Sequence, residues 1–170
     1  MDKTVNFMAR AIALAEQAKN EDEVPVAAVV VVNNIIIAAA SNATRKSCSP
    51  TAHAEILALE QAALAINNFR LTQASIYITL EPCIMCYGAM IQARIKNCIY
   101  AASDKKSGVI SCGIVDTSKH AVNHSINFYQ GSHKMESEKM LKHFFQQKRT
   151  LKSGKKDDSL LFRRSLTTEE

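Results

Sequence analysis

The 170-residue sequence has little glycine and proline, five and three residues respectively, and it contains no internal repeat or low-complexity block. These absences exclude a repeat architecture. The length is sufficient for one domain with a sizeable core and too small for two ordinary domains. We therefore expect a single domain followed by a tail.

The N-terminal segment lacks the uncharged apolar run of a signal peptide and the acid-free composition of a transit peptide. Residues 1–19 carry charges throughout, at Asp2, Lys3, Arg10 and Glu16. We therefore expect the protein to be cytoplasmic.

A segment without charge spans residues 24–43, which is long enough to cross a bilayer. However, Asn33 and Asn34 would then lie near the bilayer centre. The flanking runs at 29–32 and 35–37 are β-branched and predict two strands joined by an Asn-Asn turn. The segment is interpreted as a buried hairpin, and no membrane association is expected.

The sequence also lacks the pattern of a disulfide framework. Its five cysteines are an odd number, and only Cys83 and Cys86 have the spacing of metal ligands. Cys98 lies in an apolar run and is predicted to be a small core residue. Cys48 and Cys112 lie in loop-like sequence, and neither is assigned a role.

The net charge of +5 is confined to the C-terminal part of the chain. Residues 1–138 contain twelve basic and twelve acidic residues, whereas residues 139–170 contain nine basic and four acidic ones. No acidic residue occurs from Lys139 to Lys156. Such a run favours contact with a polyanion, although it is also typical of a solvated surface.

Apolar periodicity predicts alternating helices and strands. Strand 27–32 shows no polar alternation and should be covered on both faces. A strand, a helix and a strand joined by short connections predict a right-handed parallel crossover. Beyond Ser153 the sequence is polar, and residues 153–170 are expected to form a flexible tail. The predicted helices are 5–19, 53–65, 83–94 and 135–149, and the predicted strands are 27–32, 75–80, 98–101 and 126–129.

Three soft metal ligands, His53, Cys83 and Cys86, occur in two short segments of the sequence. A catalytic zinc commonly has three protein ligands and an open fourth position. Pro82 is favourable at the first position of a helix, and cysteines three residues apart share a helix face. If His53 also begins its helix, Thr51 is a candidate cap, and both helix N-termini would favour negative charge at the metal.

Glu55 lies two residues after His53 and is predicted to accept and return protons without binding the metal. Each of these residues also has a structural interpretation. Glu55 would stabilise the first turn of a helix, His53 would be a core histidine, and the two cysteines would be half of a structural site.

The H-x-E motif at 53–55 with P-C-x-x-C at 82–86 resembles the zinc-dependent cytidine and deoxycytidylate deaminase superfamily. Residues 23–26, 50–56 and 79–86 are similar, more narrowly, to the bacterial tRNA-specific adenosine deaminases, and the similarity extends to about Arg149. The resemblance implies an α/β fold, a three-layer α/β/α sandwich around a mixed five-stranded sheet. It also implies a homodimer that converts the wobble adenosine of a tRNA anticodon loop to inosine.

The resemblance assigns a role to several residues of the domain, which is predicted to span residues 1–152. His53, Cys83 and Cys86 would hold one zinc ion per chain, and Glu55 would move protons while zinc-bound hydroxide attacks the base. Basic side chains of the last helix would contact phosphates: Lys142, Lys148, Arg149, Lys152, Lys155 and Lys156. The substrate-binding residues would be Asn42, Ala54, Asp104, Asn123, Phe145 and Arg149.

The sequence departs from this pattern at four positions. Alanine replaces a common glycine at Ala27, Ala38 and Ala40, and Ser103 replaces an arginine. Two other functions therefore stay open. One is deamination of a free base or nucleoside such as guanine, cytosine or cytidine, and the other is a non-catalytic, zinc-stabilised RNA-binding subunit.

Overall fold

A computed structural model describes residues 6–114 and 123–165, with side chains described as far as Leu151. The helices are α1 (Phe7–Asn20), α2 (Ala54–Ala65), α3 (Ile84–Gln92) and α4 (Lys134–Ser165). The strands are β1 (Ala27–Val32), β2 (Ile35–Ser41), β3 (Ser75–Leu80), β4 (Asn97–Ala102) and β5 (Asn127–Gln130). Each predicted helix and strand is present. Their ends differ from the predicted ones by at most two residues, except that β2 continues four residues beyond the predicted end at 37 and α4 extends well beyond its predicted end.

The uncharged segment forms the expected hairpin. Asn33 and Asn34 both have positive φ angles, 49° and 62°, which a two-residue turn between right-twisted strands requires. Val32 pairs with Ile35 directly across the turn. No helix among the described residues is long and apolar enough to cross a membrane.

The five strands form one mixed sheet in the order β2-β1-β3-β4-β5. β1 is antiparallel to both β2 and β3, whereas β3, β4 and β5 are parallel to one another. In β1, Ala28 and Val30 pack on the side of α2 and α3, whereas Val29 and Val31 pack against α1. The fold is therefore the expected three-layer α/β/α sandwich.

The sheet directions place several loops at one end of the molecule. β3 and β4 are parallel and end there, and the antiparallel strand β1 begins there. β2 also ends at this side, because it is antiparallel to β1. Consequently, the connections that follow β2, β3 and β4 and the turn that precedes β1 share one end of the sheet.

Helix α4 continues to Ser165, sixteen residues beyond the predicted end at Arg149. No proline follows Pro82 in the sequence, and the added segment is rich in lysine and arginine, which are good helix formers. The polar composition of this segment therefore does not end the helix. Residues 166–170, which belong to the predicted flexible tail, lie outside the described residues.

The three alanines that replace common glycines are compatible with the fold. Ala27, Ala38 and Ala40 are buried in strands, and none of them has a positive φ angle. Glycine is needed where φ is positive or where the backbone must approach closely. The extended backbone at these positions therefore accepts a methyl group.

Candidate metal centre and catalytic site

Three metal-ligating atoms converge at the N-termini of α2 and α3. His53 is the N-cap residue of α2, Cys83 is the N-cap residue of α3, and Cys86 lies one turn further along α3. The two sulfur atoms are 3.6 Å apart, and His53 Nδ1 lies 3.7 Å from Cys83 Sγ and 3.5 Å from Cys86 Sγ. Residues distant in sequence thus form one triangular group.

These separations fit a zinc ion. Tetrahedral bonds of about 2.3 Å to sulfur and about 2.0 Å to nitrogen hold two sulfurs about 3.8 Å apart and a nitrogen about 3.5 Å from a sulfur. All three atoms lie within 4.8 Å of one another. Two thiolates and one imidazole nitrogen suit zinc, and three protein ligands leave one position for water. His53 would bind through Nδ1, because that nitrogen faces both sulfurs.

The helix starts differ slightly from the sequence prediction. Thr51 was predicted to cap α2, but His53 occupies the N-cap position and Thr51 Oγ1 instead contacts Ser49 Oγ at 3.3 Å. Pro82 precedes the N-cap residue rather than starting α3. Extended backbones at His53 and Cys83, with ψ of 150° and 171°, turn both side chains away from the helices. The ligands consequently meet in front of the helix ends.

The two cysteine thiols are hydrogen-bonded to each other. Their hydrogen bond lowers the pKa of Cys83 to about 5, against the opposing effect of burial. The same hydrogen bond and burial raise the pKa of Cys86, which keeps the proton. A cation that binds both sulfurs must displace this proton, so metal affinity should fall with decreasing pH.

Glu55 lies in the first turn of α2 and is only 4% exposed. Burial raises the pKa of Glu55, the charge of Cys83 raises it further, and a hydrogen bond to Cys86 opposes both. A carboxylate with a raised pKa is suited to exchanging protons near neutral pH. Glu55 therefore lies beside the ligand group without forming part of it.

Asn42 joins the end of β2 to the start of α2. Its backbone N–H donates to Val26 O at 2.9 Å, and its Oδ1 accepts from the Ala54 N–H at 3.3 Å. The side chain is 9% exposed. Asn42 thus satisfies one of the free N–H groups at the start of α2 and fixes the helix that carries Glu55.

Two buried carboxylates that were not predicted as site residues fix the neighbouring loops. Glu23 is 1% exposed and accepts from the backbone N–H groups of Arg45 and Lys46 at 2.7 and 2.6 Å. Glu81 is 3% exposed and accepts from Asp104, Ile110 and Ser111 N–H groups. The signal available in the sequence was a glutamate next to an apolar strand in each case: Glu23 shortly before β1 and Glu81 directly after β3.

Asp104 follows β4 and lies at the same end of the sheet as the metal ligands. Its carboxylate accepts from Lys106 N–H at 2.9 Å and Ser107 Oγ at 2.5 Å. Burial alone would raise the pKa of Asp104, but these hydrogen bonds outweigh it and lower the pKa. Asp104 is therefore ionised in a loop that Glu81 holds in place.

Gly108 should not tolerate a side chain. An added Cβ would lie 2.4 Å from Glu81 Cδ and 2.6 Å from Asp104 O. The Gly108→Ala variant should lose about 2 kcal/mol of unfolding free energy, because the Glu81 carboxylate cannot move without losing its hydrogen bonds. Urea denaturation measures this loss.

Gly88→Ala is the matched control, because no atom outside the local helix backbone lies within 4 Å of its added Cβ and the position is inside α3. Alanine should be neutral or stabilising there. Equal stability of the two variants would contradict the tight packing around Gly108.

Asn123, a predicted substrate residue, lies away from the metal ligands. Its backbone oxygen accepts from the Arg94 guanidinium at 2.7 Å, just after α3 ends. The neighbouring His124 contacts Ile95 O at 2.7 Å. This is the end of the sheet where β4 and β5 begin, opposite to the end where Cys83 and Asp104 lie.

Phe145 and Arg149 lie four residues apart on α4 and share its exposed side with Lys142. The opposite side of α4 is packed through Met140 and Phe144, and Ser137 Oγ donates to Thr79 O at 2.6 Å near the end of β3. The helix is therefore fixed near the metal end of the sheet, with an aromatic and basic face towards solvent.

The remaining cysteines are not part of the ligand group found among the described residues. Cys98 is fully buried, as predicted for a core residue, and burial raises its pKa well above the usual value. Cys48 and Cys112 are exposed.

Comparisons with known proteins agree with this geometry. The sequence pattern of MafB19-like deaminases matches residues 1–149. The tRNA-specific adenosine deaminase of Agrobacterium fabrum is 39% identical over 149 residues, which cover 88% of this chain and 98% of the relative.

Solved deaminase structures have the same fold. A structure from studies of A-to-I editing by tRNA:A34 deaminases at the wobble position has a TM-score of 0.76 at 39% identity. The aligned region covers 79% of this chain and 98% of the chain in that structure. Guanine deaminase from Bacillus subtilis has a TM-score of 0.57 at 31% identity, and the aligned region covers 84% of this chain and 95% of the guanine deaminase chain. The chain is therefore an enzyme of the MafB19-like deaminase family and belongs, within it, with the tRNA-specific adenosine deaminases.

Proposed function

We propose that this protein deaminates the wobble adenosine of a tRNA anticodon loop to inosine, with release of ammonia. The observation that carries the proposal is the buried Glu55 beside the His53, Cys83 and Cys86 ligand atoms. The similarity to tRNA-specific adenosine deaminases over 88% of the chain supports the choice of substrate.

His53, Cys83 and Cys86 would hold one zinc ion per chain. A zinc ion held this way lowers the pKa of a bound water, so that a nucleophile is available near neutral pH. Glu55 would accept one proton from that water and pass it to the adenine ring as the water oxygen bonds to C6. It would then take the remaining proton of that oxygen and deliver it to the amino group, which would leave as ammonia when the C6–N bond breaks. Burial excludes bulk water from Glu55 and keeps its proton within the site.

The base would enter from the end of the sheet where the fixed loops meet. We assign substrate contacts there to Asn42, to the Ala54 backbone and to Asp104. These residues lie after β2 and β4, at the end of the sheet that carries the metal ligands. A base in a single-stranded loop can reach such a pocket at little energetic cost, because it is already unstacked. Asn123 would contribute only if RNA, or a second copy of the chain, reaches the far end of β4.

The exposed face of α4 would hold the RNA. Phe145 is 45% exposed and is flanked along this face by Lys142 and Arg149. An aromatic ring offers a surface on which a base can stack, and the cations contact phosphates. The proposal also includes a homodimer in the cytoplasm, as the resemblance to this enzyme group implies.

The direct test is to incubate the purified protein with total tRNA and to sequence for adenosine-to-inosine changes. We expect conversion at position 34 of one or a few tRNAs. The similarity to a guanine deaminase favours one alternative substrate, so guanine should be assayed in parallel. Ammonia release from guanine with unchanged tRNA would refute the proposal and support the alternative.

Binding of tRNA should weaken steeply with salt, because cations on α4 displace counterions from phosphates. The Arg149→Gln variant should lower the slope of log affinity against log salt concentration by about one unit. The control is Arg70→Gln, an exposed arginine that contacts Phe69 beyond the far end of α2. Fluorescence anisotropy at several salt concentrations measures both slopes, and equal slopes would contradict the assignment of Arg149.

A further inference from the structure

Lys148 differs from the other described lysine and arginine side chains of α4 because it forms an ion pair with another residue of the protein. Its side chain is 27% exposed, and Nζ donates to Asp22 Oδ1. The ammonium also lies 5.4 Å from the centre of the Phe144 ring. By contrast, the ion pairs found among the described residues do not include Lys142 or Arg149.

Asp22 joins Lys148 to a second element. Its other carboxylate oxygen, Oδ2, lies 2.8 Å from an Arg45 guanidinium nitrogen, and the same nitrogen donates to Asp22 O at 3.1 Å. The hydrogen bond from Lys148 is the largest cause of a lowered pKa at Asp22, and the charge of Arg45 adds to it. One carboxylate therefore connects α4 to the loop that contains Arg45.

That loop leads directly to the metal ligand His53. The Arg45 N–H donates to the buried Glu23 carboxylate at 2.7 Å, and Thr44 Oγ1 donates to the same carboxylate at 3.3 Å. Asn42, at the start of the loop, accepts from the first N–H of α2. The position of Arg45 is thus connected through short contacts to the helix that carries Glu55.

We propose that Asp22 is a positioning residue that fixes α4 relative to the loop before His53, and that Lys148 serves this contact instead of binding phosphate. The exposed face of α4 is thereby held at a set distance from the metal ligands. The anticodon loop of an RNA bound by Lys142, Phe145 and Arg149 is then held at one position relative to the metal ligands. This inference rests on the proposed function for its substrate.

An isolated exposed ion pair usually contributes little. Asp22 is different because two cations from two segments share it, and because each cation has a further contact, Lys148 with the Phe144 ring and the Arg45 guanidinium with Asp22 O. The ordering of these side chains is therefore shared among several interactions. A cluster of linked interactions restricts the relative position of two segments more than a single ion pair does.

Three variants test the pair: Asp22→Asn, Lys148→Gln and the double variant. Asn is suitable because the φ angle of Asp22 is 64°, a conformation that asparagine tolerates. With an anticodon stem-loop RNA that carries the wobble adenosine, each single change should raise KM about five-fold and leave kcat within about two-fold. The double variant should match the single variants, because both side chains act through one contact.

The direction of the effect separates positioning from general charge. If charge alone mattered, loss of the Asp22 carboxylate would strengthen RNA binding and loss of the Lys148 ammonium would weaken it. Positioning predicts that both changes weaken binding. Glu21→Gln is the matched control, because it removes the same charge one residue away, where the partner is the exposed Lys46 at 3.0 Å.

The salt response gives a second discrimination. Lys148→Gln should leave the slope of log affinity against log salt concentration unchanged, since Lys148 releases no counterion from RNA. A slope reduced by about one unit, together with multiplicative effects in the double variant, would identify Lys148 as a phosphate contact and overturn the proposal.

A measurement without RNA distinguishes failure of this inference from failure of the proposed function. Asp22→Asn should speed amide hydrogen exchange about five-fold or more both in residues 44–48 and in α4, whereas Glu21→Gln should not. Unchanged exchange in either segment would overturn the positioning role even if tRNA is a substrate. Absence of inosine formation by the unmodified protein would instead overturn the proposed function.

Discussion

The Glu55→Gln variant should retain its metal and lose about three orders of magnitude in kcat for RNA deamination. General acid–base catalysis by one positioned group contributes on the order of 10²–10⁴-fold, and Glu55 is assigned several proton transfers in one reaction. Glutamine has the same shape but cannot accept or deliver the protons. Single-turnover assays with an anticodon stem-loop, combined with zinc analysis of the same sample, measure both properties.

The stability of this variant provides the control against simple unfolding. Burial raises the pKa of Glu55, so the folded chain binds that proton more tightly than the unfolded chain. The stabilisation is complete below the unfolded pKa, about 4.3, and is lost as the pH rises through the raised folded pKa. Glutamine does not ionise, so with metal removed by a chelator the melting temperature of the variant should fall less between pH 5 and 8.

A Glu55→Gln enzyme that turned over at the normal rate would refute the catalytic assignment. It would favour the interpretation of Glu55 as a residue that only stabilises the first turn of α2. Full metal content with lost turnover would exclude the non-catalytic RNA-binding subunit, because such a protein has no activity to lose.

The Cys86→Ala variant should lose both bound zinc and deaminase activity. Cys86 is fully buried and supplies one of three ligand atoms that lie within 4.8 Å of one another. Two remaining ligands cannot hold a zinc ion with the affinity of three, and the zinc content should fall from about one per chain to near zero. Elemental analysis after dialysis measures the metal, and the melting temperature should fall because metal binding also stabilises the fold.

The matched control is Cys98→Ala. Cys98 is also fully buried, and this substitution removes the same sulfur atom from the interior. It should cost a similar amount of packing energy, on the order of 1 kcal/mol, while leaving the metal in place. Retention of one zinc per Cys86→Ala chain would contradict the ligand assignment, as would loss of zinc in Cys98→Ala.

The convergence of the three metal-ligating atoms was predictable because it depends on residue type and short spacing. His53 and Glu55 are two residues apart, and Cys83 and Cys86 are three apart, so each pair is positioned by the local backbone of one helix start. The three-layer sandwich was predictable for a similar reason. The uninterrupted apolar strand β1 is buried on both sides over Ala27–Val31, which helices on both faces of the sheet achieve.

The end of α4 was not predictable from polarity. Local composition indicated that the chain would leave the helix near Arg149, yet helix propensity permits continuation to Ser165. The capping prediction at Thr51 was wrong for a comparable reason. The N-cap preference of threonine is a local bias, whereas the structure has His53 at this position with the extended backbone that an N-cap residue adopts.

The sequence by itself determined the metal-ligand types and their spacing, the alternation of helices and strands, and the concentration of positive charge beyond residue 138, and its resemblance to the deaminases implied the reaction. Only the tertiary structure showed that Glu23 and Glu81 are buried and bind loop N–H groups. Only it distinguished Lys148, paired with Asp22 from 126 residues away, from Lys142 and Arg149, which take part in none of the ion pairs among the described residues. The physical reason is that ligand type and helical spacing are local properties, whereas the partner of a charge depends on which distant segments the sheet brings to the same end.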